Sequence, residues 1–249
     1  MLFRSSMKNI YKVELLKLRH SRILNIVMFL PLFFVILGFT NFIRYKKLFT
    51  EKGQNVWSQV YTQSSIFYGL FIIGLFITIA IAVLVRIENS EDNFKRMLTL
   101  PVKRSELYIA KLVIGCGIVF LNLILFMLLT ILAGAVIAPH SQSMPREMIY
   151  APLLAIIASL PVIAVQYYLS MKFKNIAIPL GVGLVFSFPS VLIDNTRYWM
   201  LFPWDYPGRV LLGGSNVSFN FPPYMYVVAV ILFIVVTLIG VCEFNNRDI

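Results

Sequence analysis

The side chains that catalytic and metal sites require are few in this sequence. The only histidines are His20 and His140, and the topology predicted below puts them on opposite sides of a membrane. No His-Glu-x-x-His motif and no pair of carboxylates falls within an apolar run, which argues against an intramembrane metalloprotease. The Gly-x-x-x-x-Gly-Lys-Ser/Thr phosphate loop is also absent. We therefore expect no catalytic residues and no metal or cofactor bound by this chain.

Polar side chains inside the apolar runs are few and uncharged: Asn122, Thr130, Ser159 and Gln166. Proton- and ion-coupled transporters usually need ionisable groups within the membrane, so this pattern argues against secondary transport. We expect Asn122 to form a hydrogen bond between helices rather than to bind a substrate. Small residues recur every four positions from Ala151 to Ser159, a spacing suited to close helix packing.

A polar segment, Arg86–Lys111, separates the second and third apolar runs. Ser90 is a suitable N-cap, and Pro101 would end a helix begun there. Three apolar residues follow at i, i+3 and i+4, namely Phe94, Met97 and Leu98. The pattern predicts a short amphipathic helix, which either docks into a groove on a partner or lies on lipid. The residues alone leave both possibilities open.

The N-terminal segment Met7–Arg22 has apolar residues at roughly helical spacing with basic residues between them. This pattern favours a helix that lies in the cytoplasmic membrane interface before the first span. A plain basic flank without further function is the alternative.

The composition is that of a membrane protein. Hydrophobic residues make up 59% and charged residues 13% of the 249 positions, against about 45–50% and about 25% in soluble domains. The pI of about 9.7 does not indicate nucleic-acid binding, because the basic residues cluster at the ends of apolar runs, beside lipid headgroups.

A bilayer core about 30 Å thick needs roughly 20 apolar residues in a helix. Six runs meet or approach that length, and they lie at about 23–42, 66–85, 112–138, 149–170, 176–193 and 224–242. The fifth is short and contains Pro179, Gly181, Gly183 and Pro189, so we expect it to be broken or kinked. The sequence thus predicts an all-α membrane protein with residues 1–249 in one transmembrane domain.

The basic residues also predict an orientation. With both termini in the cytoplasm, 15 of the 22 Lys and Arg residues lie on the cytoplasmic side. Four basic residues in the first outer loop, between Arg44 and Lys52, count against this orientation.

Three segments together resemble a known family. They are Glu14-Leu-Leu-Lys-Leu-Arg-His-Ser-Arg22 before a span carrying Pro31, the segment from Glu88 to Lys111 with its Leu-Pro-Val-Lys-Arg stretch, and the tail Glu243–Ile249. They resemble the permease subunits of type-2 ABC exporters, and among these the lantibiotic-immunity and bacitracin-resistance permeases. The resemblance covers the whole chain in length and span order.

This resemblance implies six spans and a coupling helix between spans two and three. The coupling helix would contact a separate ATPase subunit, which would bind ATP and Mg²⁺, and two permease subunits, identical or homologous, would form the complex. The matching ATPase-coupling positions are Glu88, Phe94, Met97, Leu98, Pro101, Lys103 and Arg104. The matching positions of the interfacial helix are Glu14, Lys17 and Arg19.

In the resembled fold, the aromatic segment 197–209 re-enters the outer leaflet before the sixth span. Its aromatic residues would then line the exit of an amphipathic peptide: Trp199, Phe202, Trp204 and Tyr206. An ordinary interfacial aromatic belt is the alternative. The implied function is export of a lantibiotic-like or bacitracin-like peptide from the cell membrane. A lipid-linked or other amphipathic substrate, and a scaffold that only recruits a cytoplasmic partner, remain open.

Overall fold

Helices account for all regular secondary structure in the part of the chain that the structure describes. The computed structural model describes residues 11–12, 15–18, 21, 23–51, 53–89, 103–193, 196–213 and 222–246. The helices are α1 (Ile23–Arg44), α2 (Lys46–Thr50), α3 (Val56–Phe67), α4 (Ile73–Asn89), α5 (Arg104–Ile137), α6 (Glu147–Lys172), α7 (Ala177–Ile193), α8 (Tyr206–Leu212) and α9 (Tyr224–Asn245). A π-helical turn, Tyr68–Ile72, joins α3 to α4, and two 3₁₀ turns, Trp199–Leu201 and Pro203–Asp205, lead into α8.

Five helical segments of the described chain are long and apolar enough to cross a membrane. They are Ile23–Arg44, Val56–Arg86, Arg104–Ile137, Glu147–Lys172 and Tyr224–Asn245. Helix α7 has 17 residues, a rise of about 25 Å at 1.5 Å per residue, which is shorter than the bilayer core. The all-helical, multi-pass architecture is therefore confirmed, whereas the sixth span stays a prediction.

The second span begins earlier than its hydropathy indicates. We predicted a start near residue 66, but the helix begins at Val56. Polar residues lower the hydropathy of α3, and the structure buries Gln59, Thr62, Ser64 and Ser65. Helix α1 lies close against this face, because a Cβ at Gly38 would lie 2.5 Å from the Cα of Ser64. The Asn41 Nδ2 also donates to Gln63 Oε1 at 2.7 Å.

The fifth apolar run is one continuous helix, α7, so the predicted break is wrong, whereas the kink given as the other possibility stays a prediction. Pro179 lies in the first turn of α7, where the missing N–H leaves no helical hydrogen bond unmade. Gln166 of α6 lies against the same turn. The side-chain NH₂ of Gln166 donates to the Pro179 carbonyl oxygen at 3.2 Å. Its side-chain oxygen accepts from Thr78 Oγ1 at 3.2 Å and from the Gly183 N–H at 3.3 Å. Irregular backbone lies instead at residues 196–205, which form a bend, a turn and the two 3₁₀ turns.

Helix α6 lies at the centre of the described bundle and packs against α4, α5, α8 and α9. Its small residues Ala151, Ala155 and Ser159 are all buried, as the four-residue spacing predicted. Helices α1 and α9 turn many apolar side chains outward, which suits contact with lipid. Asn122 of α5 donates to the Val27 carbonyl oxygen of α1 at 3.0 Å and accepts from the Tyr68 hydroxyl. The predicted interhelical role of Asn122 is thus confirmed.

Candidate functional site

The aromatic segment after α7 folds into a packed cluster. The Trp204 ring stacks on Phe186 of α7, with centroids 4.9 Å apart. Phe202 lies 5.7 Å from Phe186 and 6.1 Å from Trp204, centroid to centroid. Trp204 is only 7% exposed. These contacts attach the segment to α7 and make Trp204 part of the protein core.

An arginine and an aspartate lie beside this cluster. The Arg209 guanidinium is 4.1 Å from the centroid of the Trp199 ring, within cation–π distance. Arg209 and Asp205 are both buried, at 8% and 4% exposure. We did not single out either residue from the sequence. Their i, i+4 spacing within an aromatic segment is the signal that would have drawn attention to them.

Tyr206 fixes the turn that precedes α8. It is fully buried, and its hydroxyl donates to the carbonyl oxygen of Met200. Burial, and secondarily the neighbouring Asp205 carboxylate, raise the pKa of the Tyr206 phenol above its ordinary value. The phenol therefore stays protonated at neutral pH and keeps this hydrogen bond.

Helix α8 packs directly against the π-helical turn of the second span. A Cβ on Gly208 would overlap the carbonyl oxygen of Gly69, so the two backbones touch. Two hydrogen bonds extend this contact. The Tyr61 hydroxyl donates to the Leu211 carbonyl oxygen at 2.9 Å. Ser190 Oγ of α7 donates to the Leu70 carbonyl oxygen of the π-helical turn at 3.3 Å. Because π-turns occur frequently at functional sites, this junction is the most distinctive part of the described fold.

The four residues predicted to line an exit fall into two groups. Trp204 and Tyr206 are buried, whereas Trp199 and Phe202 are partly exposed. Both the peptide exit and the interfacial belt that is its alternative stay predictions. Only Trp199 and Phe202 present surface that a substrate could contact while the cluster stays intact.

The predicted coupling region lies at the C-terminal end of α4 and the N-terminal end of α5. Glu88 is in the last turn of α4, and Lys103 immediately precedes α5. Arg104 begins α5, and its Nη1 donates to the carbonyl oxygen of Asn245 at the end of α9, at 3.3 Å. The other predicted coupling residues lie outside the described residues, namely Phe94, Met97, Leu98 and Pro101. Their role stays a prediction.

The N-terminal segment is helical at residues 11–12 and 15–18. Tyr11 packs against Leu107 and Ala110, near the start of α5. Lys17 is half-buried, and the other two predicted interfacial residues, Glu14 and Arg19, lie outside the described residues. The contacts therefore place this segment beside the first turns of α5, and its position in the membrane interface stays a prediction.

Lys111, which immediately precedes the third predicted span, is a buried basic residue. It lies in the third turn of α5 and is 2% exposed. Its burial was not predictable from hydropathy, because a basic residue at the end of an apolar run is usually exposed at the membrane interface. Elsewhere in the described chain, no group of three or more His, Cys, Asp and Glu side chains is placed to hold a metal ion.

Comparison with known proteins supports the family that the sequence resembles. The family model for ABC-2 family transporter proteins matches residues 10–190. The bacitracin transport permease protein BCRB of Bacillus licheniformis is 28% identical over 125 residues, which are 47% of this chain and 58% of that protein. The chain thus aligns with less than two thirds of the length of that relative, and no solved structure matches it. Because the family match covers most of the chain, from the N-terminal helical segment through most of α7, this protein belongs to the ABC-2 family of transporter proteins.

Proposed function

We propose that the chain is the permease subunit of an ABC exporter that moves an amphipathic antimicrobial peptide out of the membrane. The family is a transmembrane component of transporters and implies association with an ATPase subunit. The observation that carries the choice of substrate is the similarity to a relative named as a bacitracin transport permease. The resulting activity would give the cell immunity or resistance to a lantibiotic-like or bacitracin-like peptide.

Helix α4 offers a direct path for energy transfer. It ends at Asn89, immediately before the predicted coupling segment, and begins at the π-helical turn that contacts α8. Its 17 residues span about 25 Å. In this proposal, hydrolysis on the ATPase partner, which binds ATP and Mg²⁺, moves the coupling segment. The rigid α4 then transmits that movement to the aromatic cluster.

The aromatic cluster is the proposed place where the peptide leaves. Trp199 and Phe202 offer partly exposed aromatic surface, and the Arg209 guanidinium lies against the Trp199 ring. An amphipathic peptide carries apolar side chains that suit such a surface. A second permease, identical or homologous, completes the pathway. Both termini lie in the cytoplasm in this arrangement.

Peptide-dependent ATP hydrolysis tests the proposal. The chain is purified with its co-purifying ATPase, reconstituted in liposomes, and assayed for hydrolysis with and without bacitracin or a lantibiotic. We expect the peptide to accelerate hydrolysis, and we expect cells that express the complex to survive higher peptide concentrations. An ATPase inactivated at its phosphate-loop lysine is the control for both measurements.

The alternatives give different results in the same assay. If only a lipid-linked or other amphipathic compound accelerates hydrolysis, the chain is a permease for that substrate. If an intact complex hydrolyses ATP at one rate whatever is added, and cells gain no protection, the chain is a scaffold and not a transporter.

A further inference from the structure

A cavity of about 260 Å³ lies where the end of α4, the end of α6 and the beginning of α7 meet. It is far larger than the roughly 10–15 Å³ that a single water molecule needs. Arg86 of α4 and Lys174, in the α6–α7 connection, line it. Both belong to segments that the basic-residue bias predicts to be cytoplasmic. The cavity therefore lies next to the end of α4, immediately before the predicted coupling segment.

The charges around this cavity favour an anion. Arg86 and Lys174 are exposed, and neither forms an ion pair with another described residue. The cavity has no Asp or Glu among its described lining residues. The N-terminus of α7 points its partial positive charge toward the same place. Asn175 accepts from the Ala177 N–H through Oδ1 at 2.9 Å, and this cap leaves its Nδ2 available to donate.

A buried hydroxyl in the wall supports the same conclusion. Ser170 lines the cavity and is only 4% exposed. Its Oγ has no hydrogen-bond partner among the described residues. A buried hydroxyl without a partner is costly, and an anionic oxygen in the cavity would relieve that cost.

The rest of the lining distinguishes an amphiphile from a free ion. Val85, Phe173 and Pro179 contribute apolar wall beside the two cations. We propose that this cavity binds the phosphate of an anionic lipid from the cytoplasmic leaflet, with Arg86 and Lys174 holding the phosphate and the apolar wall holding the glycerol and upper acyl chain. Basic cavities between transmembrane helices on the cytoplasmic side suit such headgroups. The binding does not depend on which substrate the transporter exports.

Lipid binding by the purified protein tests this proposal. The protein in neutral detergent is titrated with phosphatidic acid, phosphatidylcholine or inorganic phosphate, and occupancy is measured by native mass spectrometry. We expect phosphatidic acid to bind most tightly. Arg86→Gln with Lys174→Gln should weaken its binding about thirtyfold, since each basic residue contributes about 1 kcal/mol. Each single variant and Ser170→Ala should weaken it less.

Lys172→Gln is the matched control. Lys172 lies two residues before Lys174, is exposed, and pairs with Glu243 at 3.3 Å outside the cavity. We expect this variant to bind phosphatidic acid as the unmodified protein does, and equal melting temperatures will show that all variants are folded. Equal weakening by Lys172→Gln, or unchanged binding in the double variant, overturns the proposal. Inorganic phosphate binding as tightly as phosphatidic acid also overturns it, because the site would then serve a soluble phosphate compound.

Discussion

Two glycines, Gly208 and Gly69, bring the backbones of α8 and the second span into contact. We expect Gly208→Ala to lower the free energy of unfolding by about 1–3 kcal/mol, the usual cost of overpacking. The added methyl group would meet the backbone carbonyl oxygen of Gly69, which cannot move away as a flexible side chain would. Thermal unfolding of the protein in detergent, followed by tryptophan fluorescence, measures the change.

Gly181→Ala is the control for that substitution. A Cβ at Gly181 meets no atom within 4 Å, and the residue lies in the interior of α7. Alanine there should leave stability unchanged or raise it by about 0.5–1 kcal/mol through helix propensity. If both variants melt at the same temperature, the close backbone contact between Gly208 and Gly69 is contradicted.

Trp199 and Trp204 should respond differently to substitution. Trp199→Ala removes a partly exposed ring and its contact with Arg209, so we expect export to fall while the complex still assembles. Trp204→Ala empties a core position beside Phe186 and should cost about 3–5 kcal/mol of stability. Cell survival in peptide and the yield of purified complex separate the two effects. Normal protection by a well-assembled Trp199→Ala protein would remove the aromatic cluster from the export path.

At the scale of helices, hydropathy located the five helical segments of the described chain that can cross a membrane, because lipid contact requires long apolar runs. It placed the second span about ten residues too late, since Gln59 and Ser64 are polar yet buried against other helices. The role of Asn122 was predictable, because an amide inside an apolar run needs a partner. The contact between Gly208 and Gly69 was not predictable, because it joins segments far apart in sequence. The predicted coupling residues Phe94 and Leu98 lie outside the described residues.

The helix predicted within residues 90–101 gives a prediction about coupling. Phe94 and Leu98 would share one face, and each side chain buried in an ATPase groove contributes about 1–3 kcal/mol. Leu98→Asp should abolish ATPase binding or uncouple hydrolysis from export, because a desolvated charge costs several kcal/mol. Membrane insertion should survive. Co-purification of the ATPase measures the effect.

Lys95→Ala, on the polar side of the same predicted helix, is the matched control and should retain both binding and export. If the ATPase is retained and export is normal in both variants, the segment lies on lipid and another part of the chain contacts the ATPase.

At the scale of the whole molecule, orientation is the prediction most open to direct measurement. With both termini in the cytoplasm, Lys52→Cys lies outside and Lys95→Cys inside. Cys116 and Cys242 are first replaced by serine, because both are free thiols. A membrane-impermeant maleimide added to intact cells should label position 52 and leave position 95 unlabelled. The reverse pattern means that the topology is inverted.

The buried polar face of α3 has a consequence for how the protein is made. A nascent second span presents Gln59, Ser64 and neighbouring hydroxyls, which are unfavourable in contact with lipid alone. The Ser64 hydroxyl donates to the Val60 carbonyl oxygen within α3, but Gln63 on the same helix accepts from Asn41 of α1. Helix α1 leaves the ribosome before α3 and can shield this face during biogenesis. We therefore expect insertion of the second span to require that the first span is already in the bilayer. A truncated chain that begins at α3 should insert poorly and stall at the translocon.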